Sequence, residues 1–241
     1  MKLTALEVYN KLVNEYNLKS LVGQIKFNLG DVAIIVKRKD IVGNVVQEWL
    51  EGWLKAKGID FLPNENTQMP PDIFLNTTDL KRDWMEVKAF NRDAGPGFDI
   101  ADFKAFTKEL IEKPYHLDTD FIIFGYRMDE ETGDVIIADV WLKKIWEITR
   151  PMDSWPLNLQ VKQGVVHKMR PGAWFSNRNK YPMFESMSDF LAAFEETVYQ
   201  NQDTRYIASQ WKNKFKRSYK NHYGTEIDFP RWDDIKNKYM K

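Results

Sequence analysis

The sequence predicts an α/β protein in which helices flank a central mixed β-sheet as a sandwich, followed by a less regular, basic C-terminal portion. Three observations lead there. Residues 41–57 carry a broad apolar face at helical spacing, three short strand-like runs follow between residues 59 and 90, and a capped helical segment then precedes two further apolar runs. The order helix, strand, strand, strand, helix, strand is that of a layered α/β fold rather than a bundle or an all-β barrel.

Residues 4–17 read as an amphipathic helix with Leu6, Tyr9, Leu12, Val13 and Tyr16 on one stripe, and Asp31 to Val36 as a short strand. In the helix at 41–57, Val42, Val45, Val46, Trp49, Leu50, Trp53 and Leu54 form the apolar face, and Gly58 supplies the stop. Ile59–Leu62, Asp72–Leu75 and Trp84–Phe90 are expected strands, separated by a loop at Pro63–Pro71 and a polar turn at Asn76–Asp83. Asp99 is the expected N-cap of a helix over about 100–112, with Asp102 near its positive end and Pro114 ending it. Phe121–Phe124 and Val135–Ala138 should form a hairpin across a turn containing Asp129 to Asp134. Beyond lie an expected strand at 157–168, a loop at 170–182, a helix at about 186–200 and a basic, aromatic-rich helix at about 204–219. The whole is read as one domain over 1–241, with a catalytic core at about 41–140 and a recognition portion at about 154–223.

Composition narrows the function. With 43% hydrophobic and 29% charged residues in 241, the chain can bury a sizeable core and does not read as disordered. No run approaches the roughly 20 apolar residues that cross a bilayer, and no signal-peptide segment opens the sequence, so a cytoplasmic protein is expected. The absence of cysteine excludes disulfides, thiolate nucleophiles and Cys-based zinc sites. His116, His167 and His222 are too scattered for a paired zinc motif and read as surface or packing residues. The formal net charge is zero, but its distribution is not even. Ser154 to Phe184 and Thr204 to Tyr223 contain no acidic residue, which would let a neutral protein present basic surface to a nucleic acid.

The chemistry is carried by Pro71-Asp72-Ile73-Phe74-Leu75 followed by Trp84-Met85-Glu86-Val87-Lys88, a PD…ExK pattern. Phosphodiester hydrolysis needs charge stabilisation on the phosphoryl group and an activated water. Mg²⁺ suits this because it takes one or two protein carboxylates and keeps several waters, so Asp72 and Glu86 suffice as ligands. Side chains alternate along a strand, so Glu86 and Lys88 share a face roughly 7 Å apart while Met85 and Val87 point to the core. If the Asp72 strand pairs beside this one, all three polar groups converge. Lys88 then orients the attacking water or stabilises hydroxide, and in-line attack yields a 5′-phosphate. A surface turn with a Glu–Lys pair is the bland alternative, yet two carboxylates and a lysine flanked by core residues are an odd choice for a purely structural strand. Asp93, Asp99 and Asp102 are better read as caps or solvated loop residues than as metal ligands.

This arrangement over roughly residues 41–140 resembles the PD-(D/E)xK nuclease superfamily, which includes most Type II restriction endonucleases. The resemblance implies a restriction-endonuclease-like fold and an Mg²⁺-dependent, site-specific deoxyribonuclease of a restriction–modification system. It also implies a Glu or Gln on the preceding helix that touches the metal or its waters. Gln47 and Glu48 occupy that region, with Glu48 the catalytic candidate; both lie off the apolar stripe, so plain solvent-facing polarity stays open as the other reading. A closer likeness rests on Leu29-Gly30-Asp31-Val32, Gly43, Gln47-Glu48-Trp49-Leu50-Glu51-Gly52-Trp53 and Gln68-Met69-Pro70-Pro71-Asp72-Ile73. These stretches resemble the restriction enzymes grouped with NgoBV and NlaIV, which would imply an interrupted GG/CC-type palindrome as target.

The expected substrate is double-stranded DNA. No G-x-x-x-x-G-K-[ST] loop is present, so no ATP is expected. One motif per chain cuts one strand, and a homodimer would match a palindromic site. Lys168, Arg170, Asn177, Arg178 and Lys180 are candidate DNA contacts, since Arg and Asn side chains pair with guanine and adenine edges. Lys212, Lys214, Lys216 and Arg217 are candidates for phosphate contact. Two alternatives remain open: a structure-selective or repair nuclease of the same superfamily, such as a junction resolvase, and a non-catalytic DNA-binding protein with a nuclease-like fold. Cutting a defined palindrome into discrete fragments would separate the first from a restriction enzyme, and the second predicts Mg²⁺-independent binding with no cleavage.

Overall fold

The apolar face expected at 41–57 becomes a helix over Val42–Ala56, with Val42, Val46, Leu50, Trp53 and Leu54 buried. It stops where expected. Gly58 takes φ +64°, a left-handed conformation that glycine adopts without steric cost, and its amide bonds back to the Lys55 carbonyl. The computed structural model describes every residue except Thr67, Gln68 and Lys241; Gln68, part of the likeness noted above, therefore lies outside the described residues. In chain order the helices are α1 (Ala5–Asn10), α2 (Val42–Ala56), α3 (Phe103–Glu112), α4 (Ile145–Ile148), α5 (Met187–Gln200), α6 (Arg205–Tyr223) and α7 (Trp232–Tyr239). The strands are β1 (Val22–Gln24), β2 (Lys26–Leu29), β3 (Val32–Ile35), β4 (Leu62–Pro63), β5 (Ile73–Phe74), β6 (Trp84–Asn91), β7 (Ala101–Asp102), β8 (Asp120–Met128), β9 (Asp134–Lys143), β10 (Leu159–Lys162) and β11 (Val165–Met169).

Contacts divide the chain into two units, Met1–Pro96 with Thr119–Lys143 and Gly97–Asp118 with Lys144–Lys241. The first holds a six-stranded sheet in the order β1-β9-β8-β6-β5-β4. It is mixed: β6 and β8 run parallel, whereas β5–β6 and β8–β9 are antiparallel. α1, its continuation through Glu15, and α2 cover this sheet, burying Val8, Leu12, Leu50 and Leu54 against Met85, Val87, Ile122 and Phe124. A capping box closes the start of α1, where Thr4 accepts from the Glu7 amide and Glu7 from the Thr4 amide. The expected helix at 4–17 differs in its face and its end. Ala5, Val8 and Leu12 are buried while Leu6 is 58% exposed, and from Lys11 to Glu15 the chain continues as a wider turn. β2 and β3 form a separate two-stranded hairpin.

The second unit is built around aromatic side chains. Phe194 packs on Phe103 and Trp211, the Trp211 ring stacks on Phe215, and the Trp211 indole N–H donates to the Thr107 carbonyl at 2.8 Å. α3 begins later than expected. Ala101 and Asp102 pair with β11, so Asp102 is the N-cap, accepting from the Ala105 amide at 2.9 Å, and Asp99 instead faces Arg170. The single strand expected at 157–168 is a hairpin of β10 and β11, turning at Gln163 and Gly164, both at positive φ. His116 is a core residue, packed on Phe106 and Tyr115.

Candidate active site

β5 and β6 are antiparallel, with Ile73 opposite Met85 and Phe74 opposite Trp84. One step further along that register sets Asp72 opposite Glu86. Directly opposed residues have Cβ atoms about 4.5–5.5 Å apart, so the two carboxylates share one small region. The Val87 amide donates to Asp72 Oδ2 at 2.7 Å and fixes the carboxylate against β6. Lys88 Nζ donates to Glu86 Oε1 at 2.7 Å, which brings the third side chain in. Met85 and Val87 point the other way, into the core of the first unit. The convergence expected from alternation along β6 is therefore the arrangement found. Trp84 closes the near end of the strand, its ring edge-on to Phe74 and its indole N–H donating to the Leu80 carbonyl.

The electrostatics are those of crowded, poorly solvated carboxylates. Burial pushes the Asp72 carboxyl above its usual range, and the Lys88 ammonium and Val87 N–H only partly oppose this. Glu86, 7% exposed, is also pushed up by burial; Lys88 opposes the rise and the Asp72 charge adds to it. Glu86 Oε2 is buried with no close hydrogen-bond donor, and the Asp72 backbone N–H favours the charged carboxylate only slightly. A buried acceptor left without a close donor beside a second carboxylate is unfavourable unless a cation completes it. Asp72 and Glu86 thus fit a hard divalent ion that takes oxygen ligands and retains waters. Among the described residues no group of three or more His, Asp or Glu that could hold a metal gathers at one point.

α2 packs against β6, and a Cβ on Gly43 would meet the Ala89 carbonyl at 4.0 Å, which identifies the helix face turned toward the strand. Gln47 follows Gly43 by one turn on that face, is half-buried, and donates to Glu51 at 3.5 Å. Glu48 is exposed. The pinning of Asp72 by a backbone amide has no signature in the sequence, because any residue but proline at 87 provides it. Asp93 pairs with Arg127 and Asp99 with Arg170, consistent with structural roles for these acids.

All nine candidate DNA contacts lie in the second unit. Lys168 faces Asp102, Arg170 bonds Asp99 and the Gly97 carbonyl, and Lys180 pairs with Asp153. On α6, Lys212 reaches Glu195 and the Phe229 carbonyl, and Lys216 reaches Asp228. Asn177, Arg178, Lys214 and Arg217 are exposed. The loop beneath Arg178 is held by Asn179, which donates to the carbonyls of Ala173 and Ser176 at 2.7 Å each.

A family model described as NgoBV restriction endonuclease matches residues 2–239. The chain belongs to the NgoBV restriction endonuclease family. The Type II restriction enzyme NlaIV of Neisseria lactamica is 59% identical over 242 residues, covering 100% of this chain and 99% of that protein. The Type II restriction enzyme NgoBV of Neisseria gonorrhoeae is 54% identical over 163 residues, 68% of this chain and 92% of that protein. A solved structure of NlaIV restriction endonuclease superposes with TM-score 0.96 at 58% identity, covering 100% of this chain and 98% of that one. The expected restriction-endonuclease-like α/β fold is thus the observed one. This member of the NgoBV family is a Type II restriction endonuclease, a nuclease whose substrate is DNA, which selects that reading over a junction resolvase or a non-catalytic binder. Among the described residues no helix is long and apolar enough to cross a membrane.

Proposed function

We propose that this restriction endonuclease cuts both strands of duplex DNA at a palindromic site, as a cytoplasmic homodimer, with Mg²⁺ held by Asp72 and Glu86, and leaves 5′-phosphates. The observation that carries this reading is the meeting of Asp72, Glu86 and Lys88 at the β5–β6 pair, with Glu86 Oε2 buried and without a close donor. A divalent cation bound there supplies charge stabilisation to the phosphoryl group and acidifies a water. The chain's own groups do the rest. Asp72 is held by the Val87 amide and Glu86 by Lys88, so the two carboxyl groups are already positioned side by side to receive a cation. Lys88, beside both carboxylates, would orient the attacking water and the scissile phosphate. Attack at phosphorus in line with O3′ breaks the P–O3′ bond, leaving a 3′-hydroxyl and a 5′-phosphate.

Gln47 and Glu51, half-buried on the α2 face that packs on β6, are better placed than exposed Glu48 to touch waters of this site. Arg178 and Asn177 are the candidates for base reading, and Lys214 and Arg217 for phosphate contact, because their side chains are exposed to an incoming duplex. The family likeness favours an interrupted GG/CC-type palindrome. The test is incubation of purified protein with long DNA, with and without Mg²⁺, followed by end sequencing and ligation. Discrete, ligatable ends at one palindrome that appear only with the cation support the reading; cutting without a divalent cation, or ends lacking 5′-phosphate, overturns it.

A further inference from the structure

In the second unit, the segment Thr149-Arg150-Pro151 is locked by its neighbours. The carbonyls of Ile148, Thr149 and Arg150 accept in turn from the amides of Gly172, Phe184 and Asn158, at 2.8, 3.1 and 2.7 Å. Pro151 further narrows the backbone freedom of the residue before it. The Arg150 side chain lies over Gly172, where an added Cβ would come within 2.9 Å of Arg150 Cδ, so the absence of a side chain at 172 makes its room. Gly172 and Tyr181 bracket the loop at 173–180, which carries exposed Asn177 and Arg178. The guanidinium held at the base of this loop is poorly satisfied. Arg150 is half-buried, its Nη1 donates to the Pro151 carbonyl at 2.8 Å, and its Nε is buried with no hydrogen-bond partner. Asp153, whose charge bears on it, is already taken by Lys180 at 2.5 Å and by the Tyr181 hydroxyl at 2.6 Å. Burial weakens the hold of Arg150 on its proton, and Asp153 opposes this only in part. A guanidinium has five donors and stays charged in proteins, so a desolvated one with most donors idle is unfavourable until acceptors arrive.

We propose that Arg150 is a specificity-determining residue that reads a guanine of the target, its fork donating to O6 and N7 in the major groove. The inference rests on the site-specific cleavage of duplex DNA put forward above. A planar pair of donors suits two acceptors at fixed spacing, which is what the major-groove edge of guanine presents. The backbone bonds and the space over Gly172 hold the fork in place before DNA arrives, which lowers the ordering cost of a contact that must discriminate. Phosphate contacts need no such placement and are commonly made by exposed cations such as Lys214 and Arg217. The sequence hides this residue because Arg150 stands outside both acid-free runs, between Glu147 and Asp153.

Selection of bound duplexes from a random-sequence pool, with Ca²⁺ in place of Mg²⁺ so that binding alone is read, tests it. The full chain is used as wild type, Arg150→Gln and Arg150→Lys. The wild type is expected to select a motif containing guanine. Arg150→Gln should keep the rest of that motif and lose the guanine preference at one position, with discrimination there falling about 5–150-fold. Arg150→Lys, which keeps the charge but not the fork, should lose it as well. Replacing that guanine by 7-deazaguanine, which lacks the N7 acceptor, should weaken wild-type binding about tenfold and leave Arg150→Gln unaffected. A motif unchanged in both variants overturns the proposal, as does a wild type that selects no motif. A uniform loss of affinity on all sequences, with the salt slope reduced by about one, marks a phosphate contact and overturns it too. Should Arg150→Gln fail to fold, Arg150→Lys and the 7-deazaguanine duplexes on wild type decide the matter. Since no cleavage is measured, failure of the nuclease reading shows separately, as a motif that is bound and never cut with Mg²⁺.

Discussion

Replacing Asp72 by Asn should make the cation-free protein more stable while abolishing cleavage. The change is isosteric, and the amide oxygen can still accept from the Val87 N–H. It removes one of two facing carboxylates. At about 5 Å and an effective dielectric of about 20, their repulsion is about 3 kcal/mol. Lys88 already offsets part of this, as the causes of the raised Asp72 value show. The net gain is then about 1–2 kcal/mol, or roughly 2–8 °C in melting temperature for a chain of this size. The sign follows from linkage. An acid whose native pKa lies above its ordinary value of 3.8 binds protons more tightly when folded, so its cost is absent below that pH and grows as pH rises through the native value. The variant should therefore melt with the wild type in acid and above it at neutral pH. Mg²⁺ should reverse the order by stabilising the wild type more. Melting curves at several pH values, with a chelator or with Mg²⁺, measure this. A variant no more stable than wild type at neutral pH, or one that still cuts, would refute the picture of two carboxylates confined at one site.

Other substitutions follow from the same geometry. Glu86→Ala and Lys88→Ala should each lower the cleavage rate at least a thousandfold and leave DNA affinity within a few-fold; a nicking assay beside a filter-binding titration separates the two effects. Neutralising Lys214 and Arg217 together should reduce the salt slope of DNA binding by nearly two, more than neutralising Lys212 and Lys216, whose charges already face Glu195 and Asp228; equal slopes would place α6 away from the duplex. Tyr239→Phe deletes the hydroxyl that donates to buried Asp189 and should cost about 1–2 kcal/mol in urea unfolding. Unaltered stability there would mean that Lys238, which also reaches Asp189, holds the carboxylate alone.

The central sheet and the site were readable because their residues obey local rules. Met85 to Lys88 alternates apolar and polar side chains, and alternation alone places Glu86 with Lys88. α2 announces itself by a broad apolar face and a terminal glycine. Where long-range pairing decides, local rules fail. Asp99 and Asp102 are equally good caps by sequence, and the choice is made by β11, which draws Ala101 and Asp102 into a strand. Leu6 fits a helical stripe as well as Ala5 or Val8 does, but the stripe drawn through it is one position out of phase with the buried one. α7 escapes notice because its hydrophobic signal is only Trp232, Ile235 and Tyr239, with charged residues between. The basic runs were visible, whereas the acids that face them were not, because Glu195, Glu226 and Asp228 lie outside the runs and return through the fold.

Under the proposal that α6 faces the duplex, those acids would also shape how the enzyme meets DNA it is not meant to cut. Lys212, Lys216 and Lys220 each have a carboxylate in reach, so a random phosphate would have to displace an internal partner before gaining one of them. Residence on unrelated sequence would then be shortened, and only a site offering further contacts would repay the exchange. Such restraint would separate searching from cutting, through three carboxylates far in sequence from Asp72 and Glu86.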